Sequence, residues 1–259
     1  MKGKMGEGIL LYFLKFTDYP DSLLDGEVYM GTLKNYIEME KESGLKGRGD
    51  KFEAAQVFYD LDVTMSTIDT KKVIAKGKAA NLYVRVNGDE NKPVYCLFAL
   101  TDKHFKYVSE DDENMHFILD IADDDVQHML EKFSSQLVLL QATELLKRFE
   151  QKSNEKDYAI AHGFVEYDDY FINNSKRLES YFKRSQDVFF WKDKYFEKQN
   201  EYRVVILNQE IEEALKFQIG DLNDIGEKYD AKEFFAKDFE LTIPKRVVNE
   251  FKEKKQEVK

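Results

Sequence analysis

The sequence predicts an α+β fold: a single domain with a mixed, mostly antiparallel sheet, one long central helix and a C-terminal helix. Short apolar runs of strand length recur between turn residues, which is typical of antiparallel sheets, whereas one longer segment has apolar residues at helical spacing. Hydrophobic residues form 42% of the 259 residues, which is enough for a core. No linker divides the chain, so we assign residues 1–259 to one domain, with a subdivision near residues 150–157 as the alternative.

The first part of the chain is expected to alternate strands with short helices. Gly8–Phe16 is apolar and aromatic and therefore predicts a buried strand. A helical turn over Asp18–Leu24 leads into a second strand at Glu27–Met30. Thr32 has a side chain suited to cap a helix that runs to about Glu42.

The segment from Phe58 to Ala99 predicts a β meander. Apolar and polar side chains alternate between residues 60 and 68, which is the two-residue period of a strand with one apolar face. Asn87-Gly88-Asp89 is typical of a hairpin turn, and the apolar run Val94–Leu100 after it predicts the next strand.

The longest helix is predicted from about Asp123 to Phe149. One apolar stripe at steps of four and three residues supports it: Val126, Leu130, Phe133, Leu137 and Leu140. Three aspartates at its start suit the positive end of the helix dipole.

The last third of the chain predicts further short strands and a final helix. The predicted strands are Tyr158–Glu166, Tyr202–Leu207 and Leu215–Ile219, with Lys232–Phe235 as a further candidate. Pro244 is expected to open a C-terminal helix from about Lys245.

The negative charge is concentrated in one segment. Nine acidic and two basic residues lie between Asp102 and Asp125, which gives this segment −7 of the total formal charge of −11. Nucleic-acid binding relies on Lys and Arg contacts to phosphates, so direct binding to nucleic acid is not expected. Acidic patches instead favour association with basic proteins.

Several other classes of protein are also disfavoured. No apolar run approaches the roughly 18 residues of a membrane-spanning helix, and the short apolar stretch after the basic N-terminus argues against a secretion signal. One cysteine excludes a disulfide framework. The four histidines lack metal-ligand spacing: His104, His116, His128 and His162. We therefore expect a cytoplasmic protein without a bound metal or membrane contact.

Two motifs carry a resemblance to known proteins. Gly49-Asp50-Lys51-Phe52-Glu53-Ala54 and Gln199-Asn200-Glu201-Tyr202-Arg203 resemble the G-D-x-x-E and E/Q-x-E-Y-R signatures of a group of uncharacterised bacterial and phage proteins. The later motif is also similar to the Q/E-x-E element that precedes a strand in mono-ADP-ribosyltransferases.

This second resemblance implies catalytic roles for Gln199 and Glu201, with Glu201 stabilising positive charge on the nicotinamide ribose of NAD. It also implies a nucleotide-binding cleft that includes Tyr12, Arg48 and Arg203. Without that activity no cofactor is expected. The alternative interpretation of the motif is structural: Glu201 and Arg203, two residues apart, would lie on one face of a strand and pair charges at a sheet rim.

Aromatic residues offer a second kind of site. Phe, Tyr and Trp form 14% of the chain, and Trp and Tyr are enriched at binding hot spots. Together with the acidic segment they favour a protein interface with these candidate residues: Glu110, Asp111, Asp112, Glu113, Phe190 and Trp191.

The leading hypothesis is therefore an acidic module that binds a protein partner, with a phage or mobile-element inhibitor of a host defence protein as one form of it. The alternative is an ADP-ribosyltransferase-like enzyme or a nucleotide-binding relative. A homo-oligomer is left open, and so is a small-molecule sequestering protein with a pocket lined by aromatic residues and arginine.

Overall fold

The computed structural model describes residues 8–43 and 49–246. These residues form an α+β fold of mostly antiparallel sheets, which confirms the predicted class. They fit a single α+β domain in which two compact units can be distinguished. Unit 1 contains the chain up to residue 24, residues 99–145 and the chain from residue 222, and unit 2 contains residues 25–98 and 146–221.

The strands follow the chain in this order: β1 (Leu10–Phe16), β2 (Glu27–Thr32), β3 (Ala55–Ser66), β4 (Val73–Arg85), β5 (Pro93–Thr101), β6 (Phe105–Glu110), β7 (Asn114–Leu119), β8 (Gln136–Gln141), β9 (Ile160–Phe164), β10 (Glu166–Asp168), β11 (Trp191–Asp193), β12 (Glu201–Ile206), β13 (Leu215–Gln218), β14 (Gly226–Asp230) and β15 (Glu240–Pro244).

The α-helices are α1 (Pro20–Leu24), α2 (Leu33–Ser43), α3 (Asp123–Lys132), α4 (Ala142–Glu155), α5 (Ser175–Phe182) and α6 (Ala231–Ala236). Short 3-10 helices cover Asp89–Asn91, Asp102–His104, Gln186–Phe190 and Lys194–Gln199. Of the helices in the described part of the chain, none is long and apolar enough to span a bilayer.

Unit 1 contains two groups of antiparallel strands. In the first, β8 lies between β1 and β14, and Leu137, Val138 and Leu140 of β8 are fully buried. In the second, β7 lies between β6 and β15. All six residues of β7 are half-buried, so both faces of the sheet at this strand are partly exposed.

Unit 2 is built around β12. This strand pairs with β5 on one side and β9 on the other, both antiparallel. Every residue of β12 is buried, as expected for a central strand covered on both faces. One part of the surrounding core consists of Leu33, Ala54, Val94, Ala161, Phe189, Phe190 and Val205.

A long hairpin leaves this core. β3 and β4 pair only with each other, in an antiparallel two-stranded sheet. The hairpin starts from buried residues at Ala55–Val57, whereas most of its outer part is exposed. We call residues 61–79 the arm.

The predicted helix from Asp123 to Phe149 is wrong. The segment contains α3, then β8, then the start of α4. The run Leu137–Leu140 is apolar throughout, and a short apolar run fits either a buried strand or one side of a helix. The segment forms a strand because it pairs with β1 and β14, which are distant from it in sequence.

Two other predicted elements are also corrected. Asn87-Gly88-Asp89 does not join a hairpin, because β4 pairs back onto β3 and β5 pairs with β2 and β12. Lys232–Phe235 is part of α6, where the Asp230 side chain accepts hydrogen bonds from two backbone amides and so caps a helix. The predicted C-terminal helix falls largely outside the described residues.

Candidate functional site

The two sequence motifs meet in the interior of unit 2. Glu201 and Arg203 lie two residues apart on β12, so their side chains share one face of the strand. Glu53, from the first motif, lies in the turn before β3 and reaches the same point. The result is a group of charged side chains at the centre of the unit.

Arg203 contacts two carboxylates and one backbone carbonyl in this group. Its two terminal nitrogens donate to the two carboxylate oxygens of Glu53 at 2.8 and 2.7 Å, and its Nε donates to Glu201 at 2.5 Å. Nη1 also donates to the carbonyl of Phe189 at 2.8 Å. Arg203 and Glu53 are both 0% exposed. Planar, bidentate pairing of this kind is the arrangement for which arginine is suited.

Lys192 supplies the second positive charge. Its Nζ donates to Glu201 Oε2 at 2.8 Å and to Gln199 Oε1 at 2.8 Å, and it lies 3.6 Å from Glu53 Oε1. Two cations therefore face two carboxylates. We call Glu53, Lys192, Gln199, Glu201 and Arg203 the buried network.

The charges of the buried network are fixed by one another. Burial alone would raise the pKa of Glu201, but the charges of Arg203 and Lys192 hold it well below its usual range. Burial would likewise lower the pKa of Lys192, and the charges of Glu201 and Glu53 raise it instead. The pKa of Arg203 is also raised, by the charges of Glu201 and Glu53 against the effect of burial. Because these shifts favour the charged forms of Glu201, Lys192 and Arg203, the network is suited to hold segments together rather than to exchange protons.

Asp50 extends this group toward the backbone. Its carboxylate accepts hydrogen bonds from the amides of Phe52 at 2.9 Å and Asp193 at 3.0 Å. Burial, together with the nearby charge of Glu53, raises the pKa of Asp50 to about 6. Asp50 is the member of this region whose charge changes between mildly acidic and neutral pH.

The structure brings together part of the predicted catalytic and nucleotide-binding set. Gln199, Glu201 and Arg203 are in contact through the buried network. Glu201 is only 5% exposed, and each of its carboxylate oxygens already accepts a hydrogen bond. Tyr12 belongs to unit 1, where it lines a cavity. Arg48 lies outside the described residues.

For the structural interpretation of the second motif, the charge pairing is observed and the position at a sheet rim is wrong. Glu201 and Arg203 do pair on one face of a strand, but not at a sheet rim, because β12 has a neighbour on both sides. Sequence reasoning did not assign a role to Lys192. Lys192 directly follows the aromatic run Phe189–Trp191, and this position could have indicated a buried ion pair, because a charge among buried aromatic residues needs a partner.

The aromatic candidates for an interface are corrected. Phe190 and Trp191 are both buried, because the 3-10 helix and β11 that carry them pack inside unit 2. The Trp191 ring nitrogen lies 3.4 Å from the Ser180 hydroxyl. These side chains stabilise the core and are not available to a partner.

The acidic candidates lie at an exposed turn between β6 and β7. Asp111 accepts hydrogen bonds from the amides of Glu113 and Asn114 and from His116, and these bonds lower the pKa of Asp111 to about 2. The hydrogen bond to Asp111, together with a second one to Glu240, raises the pKa of His116.

Two acids of this turn therefore have structural contacts, because Glu110 also pairs with Lys245 at 3.3 Å. Asp112 and Glu113 are exposed. We call residues 110–113 the acidic turn.

The arm has two different faces. Leu61, Val63 and Met65 lie on one face of β3 and are opposite Ala79, Gly77 and Ala75 of β4. The other face carries Asp62 and Thr64, opposite Lys78 and Lys76. Leu61, Thr67 and Ala79 are half-buried and the rest of the arm is exposed. The apolar face is therefore open to solvent.

Apolar side chains at the tip and near the end of this face are well exposed. Ile68 is 89% exposed and Met65 is 58% exposed. The tip itself is ordered by hydrogen bonds from Lys71 N to Thr67 O and from Thr67 N to Lys72 O. Exposed apolar side chains are ordinary when they occur singly, but here they form one side of a ribbon.

The root of the arm is fixed to the buried network. Glu53 lies two residues before β3, and its backbone carbonyl accepts a hydrogen bond from Arg85 at the end of β4 at 2.9 Å. Asn173 then holds the backbone of Tyr59 from both sides, at 2.8 and 2.9 Å. The network thus positions the segment from which the arm projects.

Comparison of the chain with protein-family models, with curated proteins and with solved structures found no match. In the described ranges, no group of three or more His, Cys, Asp or Glu side chains is arranged to hold a metal ion. The contacts and surfaces of this chain itself are therefore what indicates its function.

Proposed function

We propose that this protein is an acidic protein-interaction module, and that the apolar face of the arm is its main contact with the partner. The observation that carries the proposal is the arm: an amphipathic two-stranded ribbon with an exposed apolar face and a firmly held root. An isolated two-stranded hairpin has little stability of its own in water, so a projecting one gains stability when a partner covers it.

The composition of the arm argues against accidental self-association. Lys71, Lys72, Lys76 and Lys78 lie along it, and lysine on exposed strands is a common device that prevents edge-to-edge aggregation. A surface that is protected at its edges and apolar on one face is suited to a specific contact through that face.

The acidic turn indicates the charge of the partner. Asp112 and Glu113 are exposed within the segment that carries −7 of the formal charge. Such a charge accelerates encounters with a basic protein. A host defence protein that acts on nucleic acid would have the required positive surface, and the proposal includes that class of partner.

The test compares the two faces of the arm. A double variant Val63→Lys/Met65→Lys places charges on the apolar face, and Thr64→Lys/Ser66→Lys places the same charges on the same strand but on the opposite face. Each would be used as bait with a bacterial lysate, and the captured protein would then be purified and its affinity measured by interferometry.

We expect the apolar-face variant to lose at least about tenfold in affinity and the control variant to retain most of it, since hot-spot truncations typically cost more than about 1.4 kcal/mol. Equal affinities for the two variants would show that the partner does not contact this face.

The ADP-ribosyltransferase-like activity is the alternative proposal. It would require Glu201 to leave Arg203 and Lys192 and reach bound NAD. Incubation with NAD should then release nicotinamide, and Glu201→Gln should abolish the release. Release by the wild type but not by this variant would favour the enzyme over the interaction module.

A further inference from the structure

Unit 1 contains a cavity of about 570 Å³. This is within the range of about 300–1,000 Å³ typical of small-molecule sites. The sheet of β6, β7 and β15 forms one wall of it. Leu241 and Phe117 are cross-strand partners, and Ile243 lies two residues beyond Leu241 on β15. Phe105 of β6 pairs with Leu119, which lies two residues beyond Phe117 on β7, so all four lining side chains share one face.

The opposite wall is formed by β1, β8 and the start of α4. Tyr12 and Gln141 are cross-strand partners that both line the cavity, next to Leu11 and Ala142. Most of the lining is apolar, which favours a ligand with an aromatic or aliphatic body. The polar groups are few, as in sites where a small number of contacts fixes the orientation of a ligand.

The charged groups of the cavity have one sign. Asp102 and Glu144 line it, and none of the described lining residues is Lys, Arg or His. Asp102 is held in place, because its Oδ1 accepts a hydrogen bond from the amide of Ile9 at 2.6 Å. An anionic ligand would therefore meet repulsion here, whereas an ammonium group would meet an oriented carboxylate.

We propose that this cavity binds a cationic amphiphile: a small molecule with an apolar aromatic or aliphatic body and a single ammonium group that pairs with Asp102. This site is independent of the arm and of the acidic turn. It differs from the sequestering pocket considered from the sequence, which would be lined by aromatic residues and arginine.

The test uses three fluorescent probes with the same dansyl body. Dansylcadaverine carries a terminal ammonium, dansyl-6-aminohexanoate carries a carboxylate, and N-pentyl dansylamide carries no charge. Titration of each probe into the full chain would be followed by the increase in dansyl fluorescence. We expect the ammonium probe to bind at least about tenfold more tightly than the carboxylate probe, with the neutral probe between them.

Variants then locate the bound probe. Asp102→Asn retains an oxygen that accepts from the Ile9 amide, so the fold should persist while affinity for the ammonium probe falls severalfold and affinity for the neutral probe does not. Asp120→Asn is the matched control, because it removes an exposed acid of the same segment that does not line the cavity. Ile243→Trp should weaken binding of all three probes by filling the cavity.

Carboxylate and ammonium probes of equal affinity would overturn the proposal. So would an effect of Asp102→Asn no larger than that of Asp120→Asn. Because neither asparagine variant changes the size of a side chain, the result does not depend on whether Ile243→Trp folds.

Discussion

At the residue scale, Arg203 joins its own strand β12 to two other segments, the turn at Glu53 and the 3-10 helix Gln186–Phe190. Its guanidinium contacts the carboxylates of Glu53 and Glu201 and the carbonyl of Phe189. Burying these charges is costly, and their mutual attraction offsets that cost only while every partner is present. The buried network therefore stabilises the fold only while it is complete. The loss of one member leaves another charge buried without a partner of opposite charge.

Arg203→Met tests this directly. The variant leaves two carboxylates facing Lys192 alone, so we expect the free energy of unfolding to fall by about 3–5 kcal/mol in urea denaturation. Lys183→Met is the matched control, because Lys183 and Glu179 form an exposed ion pair on α5 and such pairs contribute little. A small effect of Arg203→Met, comparable to the control, would mean that water already reaches the network.

Asp50 gives this region a pH dependence. Its folded pKa of about 6 lies above the unfolded value of 3.8. The folded state therefore binds the proton more tightly, and the stabilisation by protonated Asp50 is present below pH 4 and lost as pH rises through 6.

We expect the free energy of unfolding of the wild type, relative to Asp50→Asn, to fall by roughly 1–3 kcal/mol between pH 4 and 7. Comparison with the variant cancels the contributions of other titrating groups. A difference that stays constant, or rises, across this range would contradict the assignment.

Part of this site could be predicted from sequence. The two-residue spacing of Glu201 and Arg203 is enough to place them on one face of a strand. The depth of the strand is not encoded locally, since β12 is buried by β5 and β9, which lie about 40–110 residues earlier in the chain. Lys192 is likewise brought to Glu201 only by tertiary packing.

At the element scale, the arm and β8 show where sequence patterns are decisive. The alternation of Leu61, Val63 and Met65 correctly predicts a strand with one apolar face. It does not show whether that face is covered, because coverage depends on other elements. In β8 the pattern itself is ambiguous, since Leu137–Leu140 is uniformly apolar and only the pairing with β1 and β14 selects the strand.

The link between the buried network and the arm predicts a local effect on dynamics. Glu53→Gln removes one charge of the network next to the root of the arm. We expect faster amide exchange in residues 55–59, of which residues 55–57 are buried in the wild type, and little change in residues 63–77, of which all but Thr67 are exposed. Hydrogen–deuterium exchange would measure both.

Two controls make that comparison specific. Amides of β8 in unit 1 report on any global loss of stability, and Glu213→Gln removes an exposed acid elsewhere in unit 2. Unchanged protection at residues 55–59 in Glu53→Gln would show that the root is held without the network.

At the scale of the whole molecule, charge and shape have separate roles. The formal charge of −11 is concentrated in unit 1, with −7 between residues 102 and 125, whereas the arm belongs to unit 2. Charge acts over distances of about 8 Å in physiological salt, beyond direct contact, and so governs the rate of encounter. The apolar face acts at contact and so governs how long the complex lasts.

Asp112→Asn/Glu113→Gln separates these roles. We expect the association rate constant with the captured partner to fall by about two- to fivefold at low salt, with a small change in the dissociation rate. Glu212→Gln/Glu213→Gln removes the same total charge from another exposed site. If the two double variants lower the association rate constant equally, the rate depends on the net charge of the protein rather than on the acidic turn.

Site-specific photo-cross-linking from the arm tests whether its apolar face contacts the partner. A photoreactive amino acid would replace Met65 on the apolar face in one sample and Thr64 on the opposite face in another. If the apolar face contacts the partner, we expect a strong cross-link to the partner from position 65 and a weak one from position 64. Equal cross-linking from the two positions, or cross-linking from position 64 alone, would contradict it.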